Sequence, residues 1–508
     1  GLQGGFIWDW VDQGILKKVG SGNDTSCLAE LDSEDAIQRA CEAANQPGGD
    51  WFWAYGGDFG EQPHDVNFCC NGLLGPDRKP HPAIEEFKRL VQPLKTTILD
   101  TEQGVVEIHN TDWFQSADWL VGDYQIEIDG IPISAAPFEV GDLEPQTART
   151  LNLNLSPKTL QAGEEAYLLV RFRTRHSSTW ASASHVVAWD QFKLDWPSRL
   201  PDLLGQKVGT LTVEEAGQHL NICHRESGVS LQLDTSTSNV TTIQKQDQLV
   251  MVSGPVFTIW RGPVDNDGVK GKDEQWIADW KPLGRWCKAG LNKLTCTYRN
   301  YHLERSANTG ITVTLTHRYG CAAREDAFEH QQHWQFDPGG RLTVRHRFTN
   351  FLDILDLPRI GVCLELPAEM SQLTWFGRGP GETYADRKFG YPISLYASTV
   401  DKQYVPYVVP QEHGHKEEVK WLSLQDQTGN GMKMTFAKPV GFNVSTFSAE
   451  DLTQAFHTCE LKPSGRIWLY LDAAHRGLGT ASCGPDALAR HRLAAKDYQL
   501  SYAIDVSG

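Results

Sequence analysis

The chain has 508 residues, 40% hydrophobic and 22% charged, with a formal net charge of -17 from 47 basic and 64 acidic side chains. At that length one hydrophobic core no longer suffices, and roughly three domains are expected. No stretch approaches the ~20 apolar residues that cross a bilayer, and the acidic balance disfavours a nucleic-acid binder, which needs a basic face to neutralise phosphates.

The 11 cysteines are odd in number and contain no C-x-x-C pair or zinc-ligand spacing, and adjacent Cys69 and Cys70 cannot easily bridge each other. Reduced thiols and an intracellular, cytoplasmic protein are the expectation. Three N-x-S/T triplets, at Asn23, Asn239 and Asn443, weigh the other way only weakly, since such triplets arise by chance. Seventeen tryptophans suit stacking against the C–H face of a sugar, but large β-sandwich cores use tryptophan just as freely, and the count alone favours the core.

The first residues, Gly1-Leu2-Gln3-Gly4-Gly5, hold neither an initiator Met nor a signal peptide, so the expectation is a chain that begins inside a longer one. Residues 5–11 form a nearly continuous apolar run that predicts a strand buried on both faces. The polar stretch at about 18–50 reads as a surface insertion, with a short acidic helix over Asp32 to Ala44. An aromatic, Gly-rich loop spans Trp51 to Gly60. Ile84, Phe87, Leu90 and Val91 have helical spacing, with Pro80 and Pro82 near the start where proline is tolerated.

After Pro93 the period becomes two. Tyr124/Ile126/Ile128, Leu151/Leu153/Leu155 and Val170/Phe172/Thr174 predict half-buried antiparallel strands of a sandwich of about 100 residues. Asp195 to Pro201 reads as a linker. From about 205 onward Ile311/Val313/Leu315, Leu342/Val344/His346/Phe348, Met432/Met434/Phe436 and Tyr498/Leu500/Tyr502/Ile504 alternate in the same way, predicting a second, larger antiparallel sandwich.

Several motifs occur in a fixed order. They are Gly4-Gly5-Phe6-Ile7-Trp8-Asp9-Trp10-Val11-Asp12-Gln13, Tyr55-Gly56-Gly57-Asp58-Phe59-Gly60, Asn67-Phe68-Cys69-Cys70-Asn71-Gly72-Leu73 and Asp77-Arg78-Lys79-Pro80-His81-Pro82-Ala83. Further on stand Arg261-Gly262-Pro263-Val264-Asp265-Asn266-Asp267, the run from Trp375 to Arg387, Tyr407-Val408-Val409-Pro410-Gln411-Glu412 and the run from Gly477 to Pro485. Together they resemble the large β-galactosidases of glycoside hydrolase family 2, and the resemblance covers essentially the whole chain outside 18–50.

The resemblance implies a mainly β chain. Residues 1–93 would be the end of a TIM (β/α)8 barrel, 95–200 an immunoglobulin-like β-sandwich, and 203–508 the large terminal β-sandwich, galactose mutarotase-like, of the β-galactosidase small-chain type. It implies retaining hydrolysis of terminal β-D-galactosides such as lactose, in which two carboxyls roughly 5 Å apart act as acid/base and nucleophile. In the family both Glu residues precede the segment matched by Gly1, so no catalytic residue is carried over and the fragment alone is expected to be inactive. A homo-oligomer is implied for the full-length form.

Among site residues, Trp8 matches the apolar floor beneath the galactose, although its residue type alone suggests core packing. Phe68, through its carbonyl, and Asn71, through its side chain, match sodium ligands; without the resemblance Asn71 reads as a turn residue. Magnesium is the second implied ion, with its ligands mostly upstream, and His64 stands where the best-known members carry an Asn near it. Asp65 is a weaker candidate for the pocket wall. The nearby Glu61 invites pairing with it, but the resemblance gives this loop binding groups only. Cys483 falls where some members place a Trp that stacks on the aglycone; otherwise it reads as a buried thiol. Asp265-Asn266-Asp267-Gly268 fails the calcium-loop spacing and reads as a tight turn, and Val269 to Glu274 matches a mobile loop with a possible lid role. Arg378, Glu382, Asp386 and Arg387 read as a structural polar network. The readings that compete are a carbohydrate-binding protein without turnover and a subunit that complements a separate chain.

Overall fold

The computed structural model describes residues 4–199, 209–272, 280–306 and 308–507. The apolar run at 5–11 is not the buried strand its composition predicts. Phe6, Trp8 and Trp10 are exposed, and Val11 meets only Leu74 in a single parallel bridge. A strand buried on both faces needs a neighbour along each edge. Within the described chain, Leu74 alone supplies backbone partners, to Trp10 and Asp12.

The first sheet is instead an antiparallel pair, Ile15–Lys18 with Trp51–Ala54. The 18–50 stretch leaves and returns between these two strands, as an insertion does, but it is more than surface. Its helix, Glu34–Ala44, is capped by the Ser33 hydroxyl and carries Glu34 and Asp35 in the first turn, where they oppose the helix dipole. Its Ala40 and Ala44 are buried against the cluster of Trp51, Trp53 and Tyr55. The second helix, Ala83–Leu90, forms where the spacing predicts, yet Leu90 and Val91 remain exposed, so part of its apolar stripe is uncovered.

The middle of the chain is a two-layer sandwich. Strands Leu94–Asp100, Val105–Asn110 and Ala148–Asn152 form one sheet. Ile131–Phe138, Leu120–Ile128, Ala166–Thr174 and Val186–Leu194 form the other, in that order. Val106, Ile108, Leu120, Leu168, Val170 and Phe172 make the core between them, each such side chain contributing about 1.5–3 kcal/mol by burial. Leu151 lies in a strand, but Leu153 and Leu155 reach the core from the segment after it. The supposed linker is also packed: Trp196 is buried in this core and Ser198 bridges Leu160, while positions 200 and 201 lie outside the described residues.

Asp129-Gly130 turns this sandwich onto the next one. Both residues have positive φ, as a two-residue hairpin with the right twist requires. A Cβ on Gly130 would stand 2.0 Å from the Leu395 backbone nitrogen, so only glycine allows that approach. The Gln191 side chain flanks the contact by donating to the Ile393 carbonyl and accepting from its N–H.

Beyond residue 209 the described residues form a five-stranded sheet (strands from Leu211 to Met251) and a twelve-stranded antiparallel sheet whose strands run from Ser253 to Ser507. The alternating residues Ile311/Val313/Leu315, Leu342/Val344/His346/Phe348 and Met432/Met434/Phe436 all face the shared core. Trp286, Trp334 and Trp375 are its largest fully buried side chains, the core use of tryptophan that composition favours. Arginine–carboxylate pairs, among them Arg359–Asp472, Arg261–Asp267 and Arg476–Asp356, are buried without exposure.

Candidate functional site

A cavity of about 260 Å³ lies where the first 93 residues meet the large sandwich. One wall comes from Asp12, the 67–72 segment and His81. The other comes from Val264 to Asn266, Arg387, the Tyr407-to-Glu412 stretch, Leu478 and Ser482.

The near wall is organised by Asp12, which is buried. Its Oδ1 accepts the Gly72 N–H at 2.6 Å and its Oδ2 meets His81 Nε2 at 2.7 Å. Gly72 is obligatory here, because a Cβ would lie 2.4 Å from the Asp12 nitrogen. The His81 ring stacks on Tyr407 from the far wall at 5.4 Å.

The Asp265-Asn266-Asp267 run is the tight turn its spacing predicts, closed by the Asp267 N–H to the Val264 carbonyl at 2.8 Å. Its three side chains serve three elements. Asp265 accepts from Asn67 at 2.8 Å and from Gln411 at 3.1 Å. Burial pushes its carboxyl above the usual range, and the two amide donors only partly offset this. Asn266 donates to the Gly479 carbonyl and accepts from the Ser482 hydroxyl, each at 2.8 Å. Asp267 accepts Arg261 in a two-point pair at 3.0 and 2.7 Å. The adjoining Lys270 amine reaches the Pro410, Leu452 and Ala455 carbonyls. Of the proposed lid, 269–272 are therefore fixed at Lys270, and 273–274 lie outside the described residues.

The polar side chains over Trp375 to Arg387 find partners within the large sandwich and, with one exception, do not line the cavity. Arg378 pairs with Glu418 at 2.6 Å, and Asp386 accepts the Leu478 and Gly479 N–H groups at 2.8 Å. Burial alone would raise Glu382; Arg387, the Tyr407 hydroxyl and the Gly414 N–H outweigh it and hold the carboxyl below its ordinary value. Arg387 is the exception, since it also reaches the cavity.

Of the residues singled out by sequence, Asn71 lines the cavity and Phe68 lies three positions before it, in the one-turn helix Val66–Cys69. Among the described residues no hydrogen bond engages the Phe68 carbonyl or the Asn71 side chain, so both oxygens are available to a hard cation. Trp8 is 81% exposed and does not line the cavity. Asp65 is exposed and paired with Lys272 at 2.5 Å, which lowers its carboxyl. Glu61 accepts from Gly57 and Phe59 within its own loop, so the two carboxyls do not act as a pair. His64 Nδ1 accepts the Val66 N–H at 3.2 Å. Cys483 is an exposed thiol rather than a buried one, next to the lining residue Ser482.

Asp12, Asn67, His81, Tyr407 and Gln411 stand in the motifs but were given no role from sequence. The available signal was a polar side chain inside an otherwise apolar motif, whose burial demands a partner. Among the described residues, no three His, Cys, Asp or Glu side chains cluster as a metal site, and no helix is long and apolar enough to cross a membrane.

Three consecutive stretches match known families. Residues 1–96 match the TIM barrel domain of glycosyl hydrolases family 2, 106–195 match β-galactosidase domain 4, and 225–504 match the β-galactosidase small chain. The β-galactosidase of Aeromonas hydrophila subsp. hydrophila is 30% identical over 485 residues, covering 94% of this chain and 42% of the relative. That of Vibrio cholerae serotype O1 is 30% identical over 501 residues, again 94% and 42%. That of Arthrobacter sp. strain B7 is 28% identical over 518 residues, covering 96% and 45%. The chain thus spans less than half the length of these relatives. Among solved structures, galactose 1-epimerase from Lactobacillus acidophilus covers 60% of this chain and all of its own, at 6% identity and a TM-score of 0.30.

Proposed function

The chain belongs to the β-galactosidases of glycosyl hydrolase family 2, and from that premise we propose that it forms the sugar-binding wall of a retaining β-galactosidase whose acid/base and nucleophile lie outside this sequence. The observation that carries the proposal is the state of the cavity's carboxylates. Asp12 is engaged by Gly72 and His81, and Asp265 by Asn67 and Gln411. Glu412 accepts from Asn443 at 2.7 Å and faces Arg359. Retaining hydrolysis asks one carboxyl to attack the anomeric carbon and another to protonate the leaving oxygen. A carboxylate with both oxygens already held, by two amides, by an amide and an imidazole, or by an amide and a buried guanidinium, is poorly placed for either task.

What remains free is suited to binding. The Phe68 carbonyl and the Asn71 side-chain oxygen would hold a sodium ion, which when bound supplies a fixed positive charge for a sugar hydroxyl. We assign no magnesium ligand to this chain. Asn71 provides a polar contact along the cavity, as does Arg387 beside its pairing with Glu382, and exposed Trp8 offers a flat apolar face for a sugar brought beside it. The substrate class is a terminal β-D-galactoside such as lactose.

The test is a chimera in which this chain replaces the matching part of the Aeromonas hydrophila β-galactosidase, assayed on a chromogenic β-galactoside beside the 508-residue chain alone. Turnover by the chimera and none by the chain alone is expected. Turnover by the isolated chain would place the catalytic carboxylates within it. A chimera that folds cooperatively and binds galactose but turns nothing over would sink the galactosidase reading.

A further inference from the structure

Two thiols stand side by side at the cavity wall. Cys70 lines the cavity, Cys69 precedes it, and their Sγ atoms are 3.9 Å apart. The backbone around them is fixed, because the Cys69 carbonyl accepts the Gln13 N–H at 3.0 Å and the Cys70 N–H donates to the Asn67 carbonyl at 2.9 Å. Cys69 and Cys70 form no disulfide, and their sulfurs are within hydrogen-bond reach of each other.

A direct disulfide suits this pair badly. The α-carbons of residues joined by a trans peptide lie about 3.8 Å apart, whereas a disulfide usually spans about 4.4–6.8 Å between α-carbons and draws the sulfurs to about 2.05 Å. One atom bonded to both sulfurs requires neither the wider backbone span nor so close an approach of the sulfurs. Thiolate sulfur is a soft ligand and selects soft, thiophilic centres. We propose that Cys69 and Cys70 form a chelating dithiol site for a trivalent arsenical, set in the cavity wall between Phe68 and Asn71.

With an aryl arsenoxide, two S–As bonds form and the As–O bond breaks. The oxygen leaves as water with the two thiol protons, and arsenic stays trivalent, so no oxidant or reductant is needed. Only a two-point adduct resists exchange with a monothiol, since each displaced sulfur recloses intramolecularly before the arsenical departs. The inference stands apart from the galactoside reading, because it concerns capture and not turnover.

The experiment treats the 508-residue chain with one equivalent of phenylarsine oxide, washes it with excess 2-mercaptoethanol and records the intact mass. One retained phenylarsenic per chain is expected, released by 2,3-dimercaptopropanol and absent from Cys69→Ser and Cys70→Ser, while Cys41→Ser keeps it. Proteolysis of the wild-type adduct places the added mass on the peptide holding both cysteines, a readout that needs no variant to fold. No retained adduct, an adduct on another peptide, or an adduct that persists in a folded Cys69→Ser or Cys70→Ser chain would overturn the proposal.

Discussion

Asn67 donates its side-chain amide to Asp265 across 2.8 Å and 198 positions of sequence, tying the first 93 residues to the large sandwich at the cavity floor. Gln411 donates to the second oxygen of the same carboxyl. Asp265→Ala leaves both amides without their acceptor inside the interface, a cost of about 1–3 kcal/mol for each donor left unpaired. Limited proteolysis of the variant is expected to cut within residues 1–93 at least tenfold faster than in the wild type. Equal rates would mean that the contact does not hold the segment.

Asp267→Ala is expected to be more damaging. It strands Arg261, whose side chain is fully buried, and loss of one partner of a buried ion pair costs about 3–5 kcal/mol. Lys18–Glu30 is a comparably close pair at the surface, where water screens the charges and side-chain entropy opposes the contact. Glu30→Ala is expected to leave the thermal midpoint unchanged, and thermal scans of the two variants side by side read the contrast.

Two histidines act on stability in opposite directions. Burial would lower His457, but Asp58 at 2.9 Å and Glu460 at 3.2 Å outweigh it and raise its pKa to about 9. A folded pKa above the unfolded 6.5 means that the ionic contribution is complete below pH 6.5 and disappears as pH rises through 9. The ceiling is on the order of 3 kcal/mol. His457→Gln should therefore melt well below the wild type at pH 6 and converge with it by pH 10. His346 is buried between His330 and the Tyr502 hydroxyl, at 3.0 Å from each, and burial lowers it to about 3. Its neutral ring contributes stability above pH 6.5, and that contribution is lost as pH falls toward 3. His346→Gln, which takes up no proton, should show a shallower acid limb. Parallel melting curves for wild type and variant in either window would contradict the corresponding assignment.

Cys483 is exposed beside the cavity residue Ser482. Under the galactosidase reading a small thiol there leaves the aglycone without an aromatic platform. In the active chimera, Cys483→Trp is expected to tighten glucose binding at the acceptor subsite several-fold, a stacking gain of about 0.5–1.5 kcal/mol. Acceptor inhibition constants for glucose measure it; an unchanged constant would remove Cys483 from the subsite.

The two sandwiches were legible in the sequence because each strand carries its own record of burial. Val170/Phe172 and Val344/Phe348 alternate with polar neighbours, and a period of two is fixed by the pleat of a single strand, wherever that strand ends up. The acidic helix after Ser33 was likewise written locally, in its cap and first turn. The motifs marked the Asp265-Asn266-Asp267 turn for the same reason. What each of its side chains holds was decided only in three dimensions, since Asn67, Gln411, Gly479 and Arg261 come from separate parts of the chain. An apolar run states a demand for neighbours, and the exposure of Phe6 and Trp8 shows that the described residues do not supply them. The alternation along each strand set which face is buried; tertiary structure set who meets whom, because hydrogen-bond partners and cavity walls join residues that no local pattern connects.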